Sequence, residues 1–197
     1  QLSGYHLLPD RHRWCASENV IRPNQQAEKN RITLVLHMSA DYLSEDIAEQ
    51  FHNWSGLISL SIVLNDRTQF VCAERFMRSL IARHSFNNVQ VHFLYQVRTL
   101  ATTVEIQSIQ LVIRVLKTDC SKPARRRSLT EVADYPMNMA RNVARKSVRT
   151  KFVLLSDVDL LFSKGFEKRM EQAAARELRE GQKKVLVFRI FEVYKKS

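Results

Sequence analysis

The chain has 197 residues, 45% of them apolar, with only four glycines and four prolines. This composition excludes a low-complexity chain and long flexible linkers, and it is sufficient for one domain with a hydrophobic core. The 31 basic and 20 acidic residues give a net charge of +11, and no apolar run reaches the length of about 18 residues typical of a transmembrane helix.

The first hundred residues change from a polar segment to a regular alternation. Residues 1–30 are polar, and we predict an irregular N-terminal segment there. Short β-branched runs then predict strands at 31–38, 56–64 and 89–97. Apolar residues at helical spacing predict a helix capped by Ser44 and another at 71–86. The alternation predicts an α/β domain over residues 31–197, with a mostly parallel central sheet flanked by helices.

The middle of the chain is less regular and strongly basic. Residues 99–120 fit either a helix or a strand, and residues 121–136 are typical of a loop. Between Lys117 and Lys151 there are ten basic and three acidic residues, a net of +7. Such a concentration indicates an anionic partner, which could be a nucleic acid, an acidic membrane surface, a nucleotide diphosphate or an acidic glycan. A solvated surface without a partner is the alternative.

The three cysteines, Cys15, Cys72 and Cys120, are widely spaced. No C-x-x-C occurs, so neither a zinc site nor a thioredoxin motif is indicated. This count is compatible with one disulfide and one free thiol. It is equally compatible with three reduced thiols.

Residues 137–148 (MNMARNVARKSV) predict a helix with one small apolar face. Its opposite stripe carries guanidinium and amide groups at spacings i, i+3, i+4 and i+7. Such groups suit phosphate oxygens and sugar hydroxyls, although an ordinary exposed face is the alternative. The residues of this stripe are Asn138, Arg141, Asn142 and Arg145.

Residues 151–162 (KFVLLSDVDLLF) predict a buried strand that ends on two carboxylates, Asp157 and Asp159. Ligands of α/β sheets collect at the carboxyl ends of strands, and carboxylate oxygens suit Mg²⁺ or Mn²⁺. The pair is therefore a candidate metal site that would bridge the protein to a nucleotide diphosphate. A turn, or a salt bridge to a basic residue, is the alternative.

The last part of the chain predicts a helix and a strand. The helical run after residue 165 is predicted to end with Gly181 as its C-cap, and residues 183–197 predict a strand. Glu192, in this strand, is a further candidate site residue, and a surface glutamate is the alternative.

The stretch YPMNMARNVARKSVRTKFVLLSDVDLLFSKGFE (135–167) resembles the donor-binding region of family 49 glycosyltransferases. This family includes β-1,4-glucuronyltransferase and the xylosyl- and glucuronyltransferases of dystroglycan glycans. The resemblance depends on Tyr135-Pro136, on the Asn-x-x-Arg-Asn-x-Ala-Arg pattern at 138–145 and on the D-x-D pair at 157–159. Weaker similarity extends to WSGLISLSIVL (54–64) and VLVFRIFEV (185–193).

The resemblance implies a GT-A-type fold and a UDP-sugar donor, with glucuronic acid as the transferred sugar. It implies that Asp157 and Asp159 hold Mn²⁺ (or Mg²⁺). Family members are Golgi-lumenal enzymes on a type II membrane anchor, which would be the only membrane contact and lies outside this chain. The residues implied to bind the donor are Asn138, Arg141, Asn142, Arg145 and Ser156.

The family inverts the anomeric centre of the sugar, so a general base must deprotonate the acceptor hydroxyl. In the family, that base and the acceptor site come after the strand that follows the D-x-D pair. We therefore expect residues 31–197 to form a partial GT-A-like domain without the C-terminal acceptor part.

Three functions are compatible with the sequence. The first is a metal-dependent inverting glycosyltransferase that acts on a glycan or glycoprotein acceptor. The second is a non-catalytic relative that binds only nucleotide or glycan. The third is a basic nucleic-acid-binding module, but between Lys117 and Lys151 the only aromatic residue is Tyr135. Since such modules interleave aromatic and basic residues, we expect no nucleic-acid partner.

Overall fold

The computed structural model describes residues 5–7, 14–64, 69–96, 120, 135–179 and 181–191. Within these residues, six strands form one sheet in the order β1-β2-β5-β4-β3-β6. The strands are β1 (Tyr5–Leu7), β2 (Trp14–Ile21), β3 (Ile32–Ser39), β4 (Ile58–Leu64), β5 (Val89–Gln96) and β6 (Phe152–Leu155). The helices are α1 (Ile47–Asn53), α2 (Gln69–Arg83), α3 (Met137–Lys146) and α4 (Phe166–Glu177), and a 3-10 turn covers Ala40–Tyr42.

Strands β5, β4, β3 and β6 are mutually parallel, which confirms the predicted parallel core of the sheet. Strands β2 and β1 add to it in antiparallel orientation. The prediction of an irregular segment over residues 1–30 was therefore wrong for 5–7 and 14–21. The signal was missed because β2 (WCASENVI) carries several polar residues and a bulged register, which weaken its apolar alternation.

The sheet has a helical layer on each face. Alternate residues of each strand point to opposite sides, so each face presents apolar side chains that helices cover. The larger core packs even-numbered residues of β3, such as Leu34 and Leu36, against α1, α2 and α4. The opposite face packs Val63 and Leu94 against Ala140 and Val143 of α3. The predicted apolar face of α3 is therefore its buried face, and its polar stripe points outward.

Two predicted caps differ in the structure. Helix α1 begins at Ile47 with Asp46 at its N-cap, and the Ser44 hydroxyl donates to the Asp46 carboxylate instead of capping. Helix α4 ends at Glu177, and the N–H of Leu178 bonds to the Ala174 carbonyl. Because the last turn of α4 closes before residue 178, Gly181 is not the C-cap.

Two predicted strands are also corrected. The strand expected over 151–162 pairs only over Phe152–Leu155, at the sheet edge, where Leu155 is 51% exposed rather than buried. Residues 182–191 form no strand, and Val185 and Val187 are 84% and 87% exposed. Strand propensity describes how a residue fits a pleated surface, and it does not provide a pairing partner. The predictions for 98–119, 121–134 and 192–197, including Glu192, lie outside the described residues.

A buried polar chain joins β2, β5, β4 and α3. The Asn19 N–H donates to Nδ1 of His92, at 3.0 Å. The imidazole proton therefore lies on Nε2, which faces the Ser59 hydroxyl at 3.0 Å. That hydroxyl donates to the Ala144 carbonyl at 2.7 Å. Three elements of the sheet and one helix thus depend on a neutral His92.

This burial predicts an acid sensitivity. Burial lowers the pKa of His92 from 6.5 to about 4. The unfolded chain takes up a proton below pH 6.5 that the folded protein takes up only near pH 4. The free energy of unfolding should therefore fall by about 3 kcal/mol as the pH falls through this interval.

Chemical denaturation of the wild type and of His92→Gln at several pH values between 6.5 and 4 measures this effect. The stability of the wild type relative to the variant should decrease by about 3 kcal/mol over the interval. Parallel pH profiles for the two proteins would contradict the prediction.

Candidate active site

The D-x-D residues lie in a turn at the carboxyl edge of the parallel strands. Strand β6 ends at Leu155, and the N–H of Ser156 makes one more bond, to the Val35 carbonyl of β3. The carbonyl of Asp157 then accepts from the N–H of Leu160 at 3.3 Å, which closes a β-turn. Both carboxylates are thus carried on a short turn directly after β6, and not within the strand predicted over 151–162.

The turn is anchored on its far side by α1. Gln50, which is fully buried, donates from Nε2 to the Leu160 carbonyl at 2.7 Å. Two residues later, Phe162 enters the larger core and contacts Trp54, with ring centroids 5.2 Å apart. The path of the chain through Asp157 and Asp159 is therefore held at both ends.

Helix α3 brings Arg141 to this turn. Arg141 Nη2 donates to Asp157 Oδ1 at 2.9 Å. The Arg141 side chain is 33% exposed and that of Asp157 is 54% exposed, so the pair is accessible from solvent. A guanidinium group next to the Asp157 carboxylate, on the turn that also carries Asp159, offers a cation and metal-type oxygen ligands on one short segment.

A histidine of β3 lies beneath this pair. His37 is 8% exposed, and its Nε2 accepts a hydrogen bond from Arg141 Nε at 3.1 Å. Its Nδ1 lies 2.9 Å from the Tyr135 hydroxyl. Burial and the nearby Arg141 charge lower the pKa of His37, and the Asp157 carboxylate partly opposes them. The neutral form is the one that can accept from Arg141.

The other predicted donor-binding residues have different surroundings. Asn138, Asn142 and Arg145 are exposed on the outer stripe of α3, and no described residue bonds to their side chains. The Ser156 side chain is buried, and its hydroxyl donates to the Asp157 carbonyl at 3.2 Å. Of these five residues, the structure therefore brings Arg141 and Ser156 to the D-x-D turn. All five stay predictions as donor ligands.

The donor set fits a hard divalent cation. In the described part of the chain, neither Asp159 nor the Oδ2 atom of Asp157 has a hydrogen-bond partner. Among the described residues, no histidine, cysteine or further acidic side chain is placed to complete a three-ligand metal site with the two aspartates. One or two carboxylates, completed by water and substrate phosphates, are the usual ligands of Mg²⁺ in nucleotide sites. Mn²⁺ favours the same oxygen ligands.

His37 and Gln50 were missed by the sequence reasoning. His37 follows the run ITLVL in β3, all of whose residues are buried, and its polar character near the end of this mostly apolar strand was the available signal. Gln50 occupies a position between apolar residues on the buried face of α1. A polar side chain at a buried position needs a partner, so each could have been marked as a candidate.

The D-x-D turn lies within the part of the chain that known proteins match. A family model described as glycosyl-transferase for dystroglycan matches residues 31–197. The human protein xylosyl- and glucuronyltransferase LARGE1 is 27% identical over 168 residues, which cover 84% of this chain and 17% of LARGE1. The chain thus spans about a sixth of the length of this relative. Among the described residues, no helix has the length and apolar character to cross a membrane.

Proposed function

Because the chain belongs to the family of glycosyltransferases for dystroglycan, we propose that it binds the donor of a metal-dependent glycosyl transfer. The family match confirms the resemblance found in residues 135–167. One observation carries the proposal: Arg141 and the Asp157–Asp159 turn meet at the carboxyl edge of four parallel strands. This edge is where α/β sheets bind their ligands.

The proposed donor is a UDP-sugar. Asp157 and Asp159 would hold Mn²⁺ or Mg²⁺, which would neutralise the charge that develops on the departing diphosphate. Arg141 is proposed to contact a phosphate oxygen, since its guanidinium already lies at the Asp157 carboxylate. Asn138 and Asn142 are proposed to bind donor hydroxyls, and Arg145 and Ser156 to complete the donor surface. The arrangement is proposed as part of a GT-A-type fold.

The proposed reaction is an inverting transfer to a glycan on a glycoprotein, with glucuronic acid as the sugar. A general base must deprotonate the acceptor hydroxyl. His37 does not suit this role, because it is buried and both ring nitrogens have hydrogen-bond partners. Glu192 lies outside the described residues and stays a candidate.

We propose the Golgi lumen as the location. The support within the structure is the disulfide between Cys72 and Cys120, because structural disulfides persist in oxidising compartments. Cys15, the third cysteine, is buried in β2 and is not part of this bond.

Calorimetric titration of the whole chain with UDP, with and without Mn²⁺, tests the proposed donor site. We expect Mn²⁺ to strengthen UDP binding at least about tenfold in the wild type, since the ion bridges carboxylates and diphosphate. Asp157→Asn/Asp159→Asn should lose this gain, because an amide does not supply the charge that the cation needs. The change keeps the shape of both side chains.

Asp46→Asn is the matched control, because Asp46 is exposed at the start of α1 and its carboxylate bonds only to Ser44 among the described residues. Its UDP affinity should equal that of the wild type. UDP affinity that does not respond to Mn²⁺ in any protein would contradict the proposed function. Manganese-dependent binding without hydrolysis or transfer of a UDP-sugar would instead favour the non-catalytic relative.

A further inference from the structure

Four side chains at the carboxyl edge are linked by a continuous series of hydrogen bonds, in the order Asp157, Arg141, His37 and Tyr135. Arg141 uses two separate nitrogens: Nη2 bonds to Asp157 and Nε bonds to His37. Because Arg141 Nε–H is the donor, Nε2 of His37 is the acceptor and the imidazole proton lies on Nδ1. That proton then points to the Tyr135 oxygen at 2.9 Å. Each group of the chain is therefore oriented by the next.

An arginine side chain has high rotamer entropy, and an exposed guanidinium would sample several orientations. The Asp157 contact alone is a single bond to a carboxylate on a turn, and it leaves the guanidinium free to rotate about that oxygen. The second bond, to His37 at 3.1 Å, fixes the plane of the guanidinium. His37 is itself held in a parallel strand, at 8% exposure, and is thus a rigid support.

We propose that His37 is a positioning residue, which holds the Arg141 guanidinium against Asp157 by accepting the hydrogen bond from Nε. Its consequence for nucleotide affinity rests on the proposed function, but the orientation of Arg141 does not. Tyr135 supports His37 in turn. Its hydroxyl accepts a hydrogen bond from Nδ1–H of His37, and this keeps the lone pair of Nε2 directed toward Arg141. The residues that specify the donor site thus include a buried histidine on a different element.

Two variants of similar size and polarity separate this role from simple packing. A glutamine amide at position 37 reaches the place of Nε2, whereas an asparagine amide reaches only the place of Nδ1. His37→Gln should therefore keep the bond to Arg141, and His37→Asn should keep only the bond to Tyr135. Both remove the ring, and because asparagine is one methylene smaller than glutamine, the thermal midpoint of each variant measures its loss of packing separately.

The first measurement is the NMR signal of the Arg141 Nε–H in the whole chain, assigned by its loss in Arg141→Lys. We expect a signal protected from solvent exchange in the wild type and in His37→Gln, and loss of protection in His37→Asn. The second is UDP affinity in the presence of Mn²⁺. We expect His37→Gln to stay within about twofold of the wild type and His37→Asn to weaken about ten- to a hundredfold, as for one lost hydrogen bond to a charged group. In the Arg141→Lys background, this difference should disappear.

The outcomes distinguish this inference from the proposed function. If the wild type does not bind UDP but the NMR contrast between Gln and Asn holds, the donor-site proposal fails and the positioning role stands. If Arg141 Nε–H is equally protected in both variants, the positioning role is wrong. Equal loss of affinity and of thermal midpoint in both variants would show that His37 acts through packing alone, which also overturns it.

Discussion

Replacing Glu167 with alanine is expected to lower the free energy of unfolding by about 3–5 kcal/mol, as for a buried ion pair that loses one partner. Glu167, in the first turn of α4, has no exposed side-chain surface. Arg31 donates to both of its oxygens, at 2.7 and 2.6 Å, and Ser55 donates at 2.8 Å. The variant leaves the Arg31 guanidinium, which is 14% exposed, without its main partner.

The hydrogen bonds to Glu167 also explain why its carboxylate is ionised in the folded protein. Burial by itself would raise the pKa of Glu167, but the hydrogen bonds from Arg31 and Ser55 outweigh it and lower the pKa. The folded protein therefore favours the ionised carboxylate. The ionised carboxylate therefore adds to the free energy of unfolding above the ordinary carboxyl pKa. This addition is lost as the pH falls through the lower pKa of the folded state.

Glu171→Ala is the matched control for this prediction. Glu171 lies one turn further along α4 and also faces Arg31, at 3.6 Å, but it is 31% exposed. An ion pair of this kind contributes about 0–1 kcal/mol, so we expect a small effect. Equilibrium denaturation of both variants makes the comparison. Equal losses for Glu167→Ala and Glu171→Ala would contradict the claim that the buried carboxylate organises this corner.

Removal of the disulfide is expected to cost about 4 kcal/mol. Cys72 of α2 is bonded to Cys120, 48 residues later in the chain. In the chain-entropy model, a closed loop of this length removes that much conformational freedom from the unfolded state. Cys72→Ser/Cys120→Ser should therefore show a lower midpoint of denaturant unfolding than the wild type under oxidising conditions.

Reducing agent and single variants test the cause. Reductant should lower the stability of the wild type to that of the double variant and leave the double variant unchanged. Cys72→Ser and Cys120→Ser alone should each equal the double variant. Mass spectrometry of peptides should find the bond between 72 and 120, and a bond that includes Cys15 would contradict the pairing. Unchanged stability in the double variant would show that the loop adds no constraint.

The sequence by itself determined much of the fold and part of the site. The alternation of β-branched and helical patterns from residue 31 onward predicted the parallel strands β3, β4 and β5, because those periods mark which residues are buried. The carboxylates at 157 and 159 were predicted at a strand end, and the structure has them in a turn directly after β6. The polar stripe of α3 was likewise correct, since small apolar residues mark its buried face.

Only the tertiary structure decided which elements lie side by side. Residues 14–21 pair with β5, about 75 positions later in the sequence, whereas the more apolar residues 185–191 pair with none of the described strands. His37 and Arg141 are 104 positions apart in the sequence, and no local pattern relates them. Periodicity reports which face of an element is buried, but not the element that covers it. The contacts of His37, Arg141 and Asp157 depend on which elements pack together. The packing of α3 on β3 brings the charges of the site to one place.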